Sequence, residues 1–167
     1  MIKVGILTVS DKGARRERED QSGKVINEIV KKIKGETKYY RIIPDEKDII
    51  QDELIKAVDE LHLDLILTTG GTGLGERDVT PEATLSVIEK EVPGISEIIR
   101  SESFKKTSRA ILSRAVAGVR KKCLIINLPG SPKGVRESLE IILDTIPHGI
   151  EILKGKATEC AGQEKGN

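Results

Sequence analysis

The sequence of 167 residues has no tryptophan, and Tyr39, Tyr40 and Phe104 are its only aromatic residues. Proteins that stack the bases of a single nucleic-acid strand usually present several aromatic rings. Strong charge of one sign is also missing, because 28 basic residues face 27 acidic ones. Without a positive field, nucleic acid and anionic membranes are not attracted over long range. The composition therefore disfavours both as partners.

Cysteine and histidine are scarce, with two of each in the whole chain. Cys123 and Cys160 are far apart and form no CxxC pair, so a zinc site is disfavoured. Cys123 stands in the apolar run CLIINL, which predicts a small buried side chain. We find no Ser-His or Cys-His pairing of the kind that nucleophilic catalysis uses. The chemistry is therefore expected to come from other groups.

Long apolar runs are absent as well. No stretch approaches the roughly 20 residues that a membrane-spanning helix requires. The apolar part of MIKVGILTVSDKG at the start is too short for a signal peptide and runs into a turn. The expected location is the cytoplasm.

Strand-like and helix-like segments alternate in the first half of the chain. Apolar, β-branched runs predict strands at residues 3–9, 38–43 and 63–69. A helical apolar period covers residues 20–34 and 46–61 between them. This order predicts an α/β fold with a parallel sheet and helices packed over it.

The second half continues the same pattern. Thr80 and Pro81 are suited to cap and open a helix, and Gly35 is placed to end the first helix of the chain. The remaining expectations are a break at Pro93-Gly94, an apolar helix face at Ile95, Ile98 and Ile99, strands at 115–119 and 122–128, and a helix at 131–146. We expect one domain over residues 1–155 and a disordered polar tail at 156–167.

Ligands of open parallel α/β sheets bind beyond the carboxyl ends of the strands. The loops at these ends are polar or rich in glycine. The first contains Ser10 and Asp11, and a polar stretch leads on to Asp20, Ser22 and Gly23. Asp45 follows the second strand, the sequence GGTGLG follows the third, and the turn at residues 128–133 follows the late strand at 122–128. We therefore expect these loops to converge at one rim.

The loop at residues 70–75 is the sharpest of these features. Gly70, Gly71, Thr72 and Gly73 offer backbone N–H groups with little side chain in the way, which suits an anion such as phosphate. Glu76 stands where the Walker lysine or the third glycine of a dinucleotide fingerprint would be, so neither motif is present. A tight turn that permits close packing is the alternative.

Two carboxylates follow strand ends. Asp45 and Asp78 are placed to act as ligands of Mg²⁺ beside a phosphate, because this hard cation prefers carboxylate and phosphate oxygens. Asp45 could instead cap the following helix. Asp78 could form a surface ion pair with its neighbour Arg77.

Two further segments offer groups for a second anion. The turn containing Pro129, Gly130, Ser131 and Lys133 precedes a helix whose N-terminus could hold phosphate, although such a turn also serves as a plain strand-to-helix connection. The pair Ser113-Arg114 could bind an anion or cover a helix.

Several of these segments together resemble a known family. The run TTGGTGLGERDVTPEAT at residues 68–84 is similar to the signature of the MogA- and MoaB-type proteins of molybdenum-cofactor biosynthesis. Five further segments occur along the chain in the family's order: GILTVSDKG, DQSG, IIPDE, AILSRAVAGV and NLPGSPKG. The resemblance covers residues 2–153, and the motif sequences are most similar to those of MogA.

The resemblance implies a MogA-like three-layer α/β/α fold, a homotrimer, and adenylylation of molybdopterin by Mg-ATP with release of pyrophosphate. It places catalytic or Mg²⁺-binding roles on Asp45 and Asp78, and nucleotide-phosphate binding on Gly70, Gly71, Thr72 and Gly73, with Ser10 and Asp11. It places molybdopterin contacts on Ser22, Gly23, Ser113, Arg114, Pro129, Gly130, Ser131 and Lys133. It also implies transfer of the product to a molybdate-inserting enzyme of the MoeA type.

Three alternatives stay open at the sequence level. A carrier of the same fold would bind molybdopterin without adenylylating it. A nucleotide pyrophosphatase of the CinA type shares a related domain. A molybdate-inserting enzyme would need further domains and a longer chain.

Overall fold

The computed structural model describes residues 1–156, which form a six-stranded sheet covered by helices on both faces. The strands are β1 (Ile2–Val9), β2 (Gly35–Ile43), β3 (Leu65–Thr69), β4 (Lys90–Glu91), β5 (Ala117–Arg120) and β6 (Cys123–Leu128). The helices are α1 (Asp11–Ala14), α2 (Gln21–Ile29), α3 (Lys47–Asp59), α4 (Thr80–Val87), α5 (Pro93–Phe104), α6 (Pro132–Ile142) and α7 (Thr145–Leu153). Short 3-10 segments occupy Val30–Ile33 and Ser108–Leu112.

The strand order is β2-β1-β3-β6-β5-β4. β1 pairs in parallel with β2 and β3, and β3 pairs in parallel with β6. β5 runs antiparallel to β6 and to the short β4. The chain moves outward from β1 to β2 and then returns across β1 to β3. The carboxyl ends of β1 and β3 therefore flank the switch point at which such sheets bind ligands.

Alternating side chains of the central strands supply two separate cores. On one face, Ile6 of β1 and Ile126 of β6 pack with the helices α2, α5, α6 and α7. On the other face, Leu7 and Ile125 pack with α3 and α4. Each fully buried Ile or Leu stabilises the fold by about 2 kcal/mol. The predicted three-layer α/β/α arrangement with a mostly parallel sheet is confirmed. Cys123 is 1% exposed, as predicted.

The first helix ends differently from the prediction. After α2 the chain tightens into a 3-10 turn, and Lys34 adopts the left-handed conformation with φ 57°. Gly35, predicted to end the helix, is the first residue of β2. A Cβ there would lie 2.7 Å from the carbonyl oxygen of Val30. Close packing, not helix termination, explains the glycine.

Three features of the second half differ from the prediction. The helix predicted over residues 131–146 is two helices, because α6 ends at Ile142 and α7 begins at Thr145. The N-cap of α4 is Val79, not Thr80. The hydroxyl of Thr80 instead donates to the carbonyl oxygen of Gly70 at 2.9 Å. The antiparallel strand β4 had no counterpart in the prediction.

Beyond Lys156, the tail predicted at 156–167 lies outside the described residues, as does Cys160. Within residues 1–156, no helix combines the length and the apolarity needed to cross a bilayer.

Candidate active site

A first cleft of about 580 Å³ opens at the carboxyl ends of β1 and β3. The residues that line it come from four loops and include Ser10, Asp20, Ser22, Asp45, Gly70 and Gly130. The loops after β1, β2, β3 and β6 therefore converge at one rim, as the sequence predicted.

A second cleft of about 520 Å³ lies on the other side of the glycine loop, which is the loop at residues 70–75. Thr72 and Gly73 border it from that loop, and Pro129 borders it from the loop after β6. Its far wall is formed by α5, α6 and the segment before β5. Ser131 lines both clefts. The glycine loop and the loop after β6 thus stand between two spaces, each large enough for part of a substrate.

Close approach fixes the shape of the glycine loop. Gly70 and Gly71 both have positive φ, at 95° and 67°. A Cβ on Gly70 would lie 2.3 Å from the carbonyl oxygen of Val9, and one on Gly71 would lie 2.3 Å from Oγ1 of Thr80. The same Cβ on Gly71 would lie 3.3 Å from Oδ1 of Asp45. The loop is therefore pressed against the end of β1, and Asp45 reaches it from the neighbouring loop.

The glycine loop leaves several donors available. Among residues 1–156, no acceptor receives the backbone N–H groups of Gly71, Thr72 and Gly73. Carbonyl groups of the same loop are engaged, since Gly71 accepts from the N–H of Thr80 at 3.1 Å and Thr72 accepts from the N–H of Arg114 at 2.9 Å. Backbone N–H groups seldom stay without a partner unless water or a ligand completes them. This arrangement supports the predicted anion cradle over the turn-only alternative.

Asp45 and Asp11 hold the neighbouring loops together. The N–H of Asp11 donates to Oδ2 of Asp45 at 2.8 Å, and the N–H of Asp45 donates to Oδ1 of Asp11 at 3.0 Å. Glu46, not Asp45, is the N-cap of α3, so the capping alternative for Asp45 is wrong. Burial raises the pKa of the Asp45 carboxyl, the N–H of Asp11 lowers it, and the charges of Asp11 and Asp78 raise it again.

Arg77 neutralises part of this negative charge. Its Nε and Nη2 donate to the two carboxylate oxygens of Asp11 at 2.6 and 3.0 Å, and Nη2 also reaches Glu46 at 2.7 Å. Arg77 therefore lowers the pKa of Asp11. The sequence suggested that Arg77 pairs with Asp78, but the guanidinium turns towards the loops after β1 and β2.

Asp78 folds back under the glycine loop. Its Oδ2 accepts from the N–H of Gly75 at 2.8 Å. A Cβ on Gly73 or on Gly75 would lie 2.8 Å from the same oxygen. The glycines thus let the loop wrap closely around the carboxylate, which places a negative charge beside the free N–H groups.

Ser10 and the DQSG segment have clear structural duties at this rim. Ser10 caps α1 by accepting from the N–H of Gly13 at 3.0 Å. Asp20 caps α2 by accepting from the N–H of Gly23 at 2.8 Å. Ser22 donates to the carbonyl oxygen of Gly130 at 2.7 Å and so joins α2 to the loop after β6. Ser10, Asp20 and Ser22 border the first cleft, whereas Gly23 does not. Their roles in ligand binding stay predictions.

Five of the eight predicted molybdopterin contacts line the two clefts, whereas Gly23, Arg114 and Lys133 line neither. Ser22 and Gly130 line the first cleft, whereas Ser113 and Pro129 line the second. Ser131 caps α6 by accepting from the N–H of Gly134 at 3.0 Å. Lys133 is exposed at the start of α6 and is not among the residues lining either cleft.

Arg114 is engaged with the glycine loop and α4. Its Nε donates to the carbonyl oxygen of Gly73 at 2.7 Å, its Nη2 donates to that of Asp78 at 2.5 Å, and its Nη1 pairs with Glu82. Sequence reasoning did not find Glu82 or Thr80 as supports of the loop, although both lie inside the conspicuous run at 68–84. Their roles depend on long-range contacts that spacing does not reveal.

Asp45 and Asp78 can be tested for their fit to Mg²⁺. No group of three or more His, Cys, Asp or Glu residues within 1–156 could hold a metal alone. Mg²⁺ in nucleotide enzymes is commonly held by one or two carboxylates together with substrate phosphates. Asp45 and Asp78 each use Oδ2 for a backbone N–H, which leaves Oδ1 for another ligand. Their mutual repulsion would also be relieved by a cation, so the pair fits Mg²⁺ that arrives with a phosphate.

The sheet order, the rim clefts and the glycine loop define an α/β protein whose clefts open at the topological switch point, the place where such sheets bind ligands. Residues 5–148 match the family model described as "Probable molybdopterin binding domain". The chain belongs to this family, and the family predicted from the sequence is confirmed.

Characterised relatives agree. The chain is 46% identical over 156 residues to the molybdopterin adenylyltransferase of Helicobacter pylori, covering 92% of this chain and 89% of that protein. It is 38% identical to the molybdopterin adenylyltransferase of Escherichia coli, covering 96% of this chain and 89% of that protein. The crystal structure of the molybdopterin biosynthesis enzyme MoaB from Thermus thermophilus has a TM-score of 0.89 and 50% identity, covering 95% of this chain and 100% of that one.

Proposed function

We propose that this chain is a nucleotidyltransferase that adenylylates molybdopterin in molybdenum-cofactor biosynthesis. In this reaction an oxygen of the terminal phosphate of molybdopterin attacks the α-phosphorus of ATP. A new P–O–P bond forms, the bond between the α-phosphorus and the bridging oxygen to the β-phosphorus breaks, and pyrophosphate leaves. Adenylyl-molybdopterin is the product, and ATP is a co-substrate.

One observation carries the proposal more than any other. The N–H groups of Gly71, Thr72 and Gly73 have no acceptor among residues 1–156 and lie between the two clefts, with the carboxylates of Asp45 and Asp78 beside them. A transfer between two large polyanions needs a site for each substrate and a place where their phosphates meet. The two clefts and the glycine loop between them support such a layout. The relatives named as molybdopterin adenylyltransferases support the same assignment.

The linings of the clefts suggest which substrate occupies each one. The first cleft presents polar side chains such as those of Asp20 and Ser22, which suit the hydroxyls of a nucleotide. The second cleft has apolar walls such as Leu74, Ile99 and Ala115, which suit a flat fused ring. We therefore assign ATP to the first cleft and the pterin ring of molybdopterin to the second, with both sets of phosphates at the glycine loop.

Positioning and charge stabilisation then account for catalysis. Fixed N–H groups of the loop stabilise the charge on the reacting phosphates without reorganisation during the reaction. Holding both substrates against the same loop removes the entropic cost of bringing two anions together. No covalent nucleophile is required, which agrees with the residues that line the rim.

Asp45 and Asp78 would hold Mg²⁺, which would shield the negative charge of the phosphates when bound. The two residues must be ionised for this role. Burial opposes the ionisation of Asp45, whereas Arg77 favours it by lowering the pKa.

The direct test is incubation of the protein with ATP, Mg²⁺ and molybdopterin, followed by mass detection of adenylyl-molybdopterin and measurement of pyrophosphate. We expect both products in equal amounts. Tight binding of molybdopterin without either product would favour a carrier instead. Release of AMP without adenylyl-molybdopterin would favour a pyrophosphatase of the CinA type.

We also propose that the protein is a homotrimer. Ile98 of α5 and Ile152 of α7 are 43% and 56% exposed and border an apolar groove of about 400 Å³ together with Ile95. Ile99, which the sequence placed on the same face, is 8% exposed and packs inside the subunit. Light scattering should give three times the chain mass of 18.3 kDa. A single-chain mass throughout the micromolar range would contradict this.

The remaining parts of the proposal follow from the reaction. ATP is consumed, so we place the protein in the cytoplasm. The product is expected to pass to a molybdate-inserting enzyme of the MoeA type, because an adenylylated pterin is an activated intermediate. Stimulation of product release by such an enzyme in a coupled assay would support this transfer.

A further inference from the structure

Two buried hydroxyl groups in the described chain have no hydrogen-bond partner. Ser96 on α5 is 5% exposed and Ser138 on α6 is 1% exposed. Within residues 1–156, the Oγ atoms of these two residues are the buried side-chain nitrogen or oxygen atoms without a partner. Both residues line the second cleft. The two exceptions therefore occur at one place.

The other buried side-chain nitrogen and oxygen atoms of residues 1–156 have hydrogen-bond partners. Thr84 donates to the carbonyl oxygen of Thr80 at 2.9 Å, and Thr69 donates to that of Pro129 at 2.6 Å. The amide of Asn127, which also lines the second cleft, donates to both Thr68 and Thr84 at 2.9 Å. A buried hydroxyl without a partner destabilises a protein. Two unpartnered hydroxyls in one cleft therefore need an explanation, and a ligand in the cleft would supply the missing partners.

The surroundings of the two serines indicate the kind of group they meet. Ile99 and Ala115 provide apolar walls of the cleft, which suit the faces of an aromatic ring. A serine hydroxyl can both donate and accept a hydrogen bond. The pyrimidinone edge of a pterin alternates amine, N–H, ring-nitrogen and carbonyl groups, so it can use both capacities.

We propose that Ser96 and Ser138 bind the polar edge of the pterin ring and so determine specificity for it. This inference rests on the proposed function, because it names the ring that the second cleft receives. A site built to hydrogen-bond a polar edge rejects rings that lack it, since the buried hydroxyls would then stay unpaired.

If the two serines bind the pterin edge, replacing them should weaken molybdopterin binding without lowering the stability of the empty protein. Ser96→Ala and Ser138→Ala each remove a hydroxyl that destabilises the empty protein, so the melting temperature should stay equal or rise. The same changes should weaken molybdopterin binding about five- to tenfold each, the scale of one neutral hydrogen bond. The KM for ATP should not change, because ATP occupies the other cleft.

Binding is measured by titrating molybdopterin and following the pterin fluorescence, which no tryptophan of the protein can obscure. Ser101→Ala is the matched control, because Ser101 is an exposed residue of the same helix α5 and is not among the residues lining the second cleft. It corrects for the higher helix propensity of alanine and should leave the affinity for molybdopterin unchanged.

The outcomes separate this inference from the proposed function. Wild-type protein that binds no molybdopterin would overturn both. Wild-type protein that binds molybdopterin, with equal affinity in the double variant Ser96→Ala/Ser138→Ala, would overturn the serine contacts alone. A double variant that loses both stability and affinity would also overturn them, because the hydroxyls would then support the fold and not the ligand.

Discussion

Asp11 and Asp45 bind each other's backbone: each N–H donates to the other's carboxylate, at 2.8 and 3.0 Å. This reciprocal pair joins the loop after β1 to the loop after β2. It leaves Oδ1 of Asp45 directed at the glycine loop, where a Cβ on Gly71 would be 3.3 Å away. The pair therefore fixes an acidic oxygen at the point where the phosphates are proposed to meet.

Asp45→Asn should abolish activity without cost to stability. Adenylylation should fall by at least about 100-fold, the scale for losing one transition-state stabiliser. The folded-state pKa of Asp45 is raised, so its ionised form is disfavoured by folding and costs stability above that pKa. The melting temperature of the variant at pH 7 should therefore equal or exceed that of the wild type. This advantage should shrink as pH falls through the folded-state pKa, where the wild-type carboxyl is protonated.

Asp78→Asn separates an enzyme from a carrier. The amide oxygen can still accept from the N–H of Gly75, so the loop should keep its shape. Adenylylation should fall at least about 100-fold, while molybdopterin binding should survive because the change removes a charge that repels it. Asp52→Asn, at an exposed position of α3, is the control for losing one negative charge. Wild-type turnover in both Asp45→Asn and Asp78→Asn would remove the metal-carboxylate mechanism.

The central strands could be predicted from sequence because their signal is local. The apolar runs of β1, β3 and β6 are buried on both faces, so continuous hydrophobicity identifies them. The division between α6 and α7 could not be predicted, since Leu143 and Ile146 continue the apolar pattern across it. Pro147 does not mark the division, because it lies in the first turn of α7, where its missing N–H has no consequence.

The candidate site, like the fold, could be predicted only where the signal is local. Glycines and carboxylates near strand ends mark the rim, so Gly71, Asp45 and Asp78 could be found. The direction of a long side chain could not, which is why the contacts of Arg77 and Arg114 were missed. The unpartnered state of Ser96 depends on every neighbour in the folded chain and leaves no trace in the sequence.

Gly71 and Gly73 should respond differently to alanine. Gly71→Ala adds a Cβ 2.3 Å from Oγ1 of Thr80 at a φ of 67°, so it should destabilise the fold by about 1–3 kcal/mol. Gly73 does not have a positive φ, and its Cβ would meet only Oδ2 and Cγ of Asp78. Gly73→Ala should therefore displace this carboxylate and reduce turnover with little change in melting temperature.

Arg114→Met tests whether this arginine supports the loop or contacts molybdopterin. The change leaves the carbonyl oxygens of Gly73 and Asp78 without their donor. As a support, Arg114 is needed for loop geometry, so kcat and the melting temperature should both fall while the KM for molybdopterin changes little. A raised KM for molybdopterin at unchanged kcat and stability would instead establish the direct contact that the sequence suggested. Steady-state kinetics with thermal unfolding separate the two.

Arg77→Gln should move the acid limb of the activity profile to higher pH. Arg77 lowers the pKa of both Asp11 and Asp45, so removing its charge raises both. Activity requires ionised Asp45, and its protonation would then begin at a higher pH as the solution is acidified.

The stability of Arg77→Gln should be lower than that of the wild type. Asp11, whose folded-state pKa is lowered, stabilises the wild type above its unfolded-state pKa, and the variant loses this contribution. Because the side chain of Arg77 is 54% exposed, solvent screening keeps the stability effect small. The measurement is kcat/KM for ATP against pH. Lys32→Gln is the control for losing one positive charge, because this exposed lysine borders a separate groove near the N-terminus of the chain. An acid limb that stays in place in Arg77→Gln would show that Arg77 does not control the ionisation on which turnover depends.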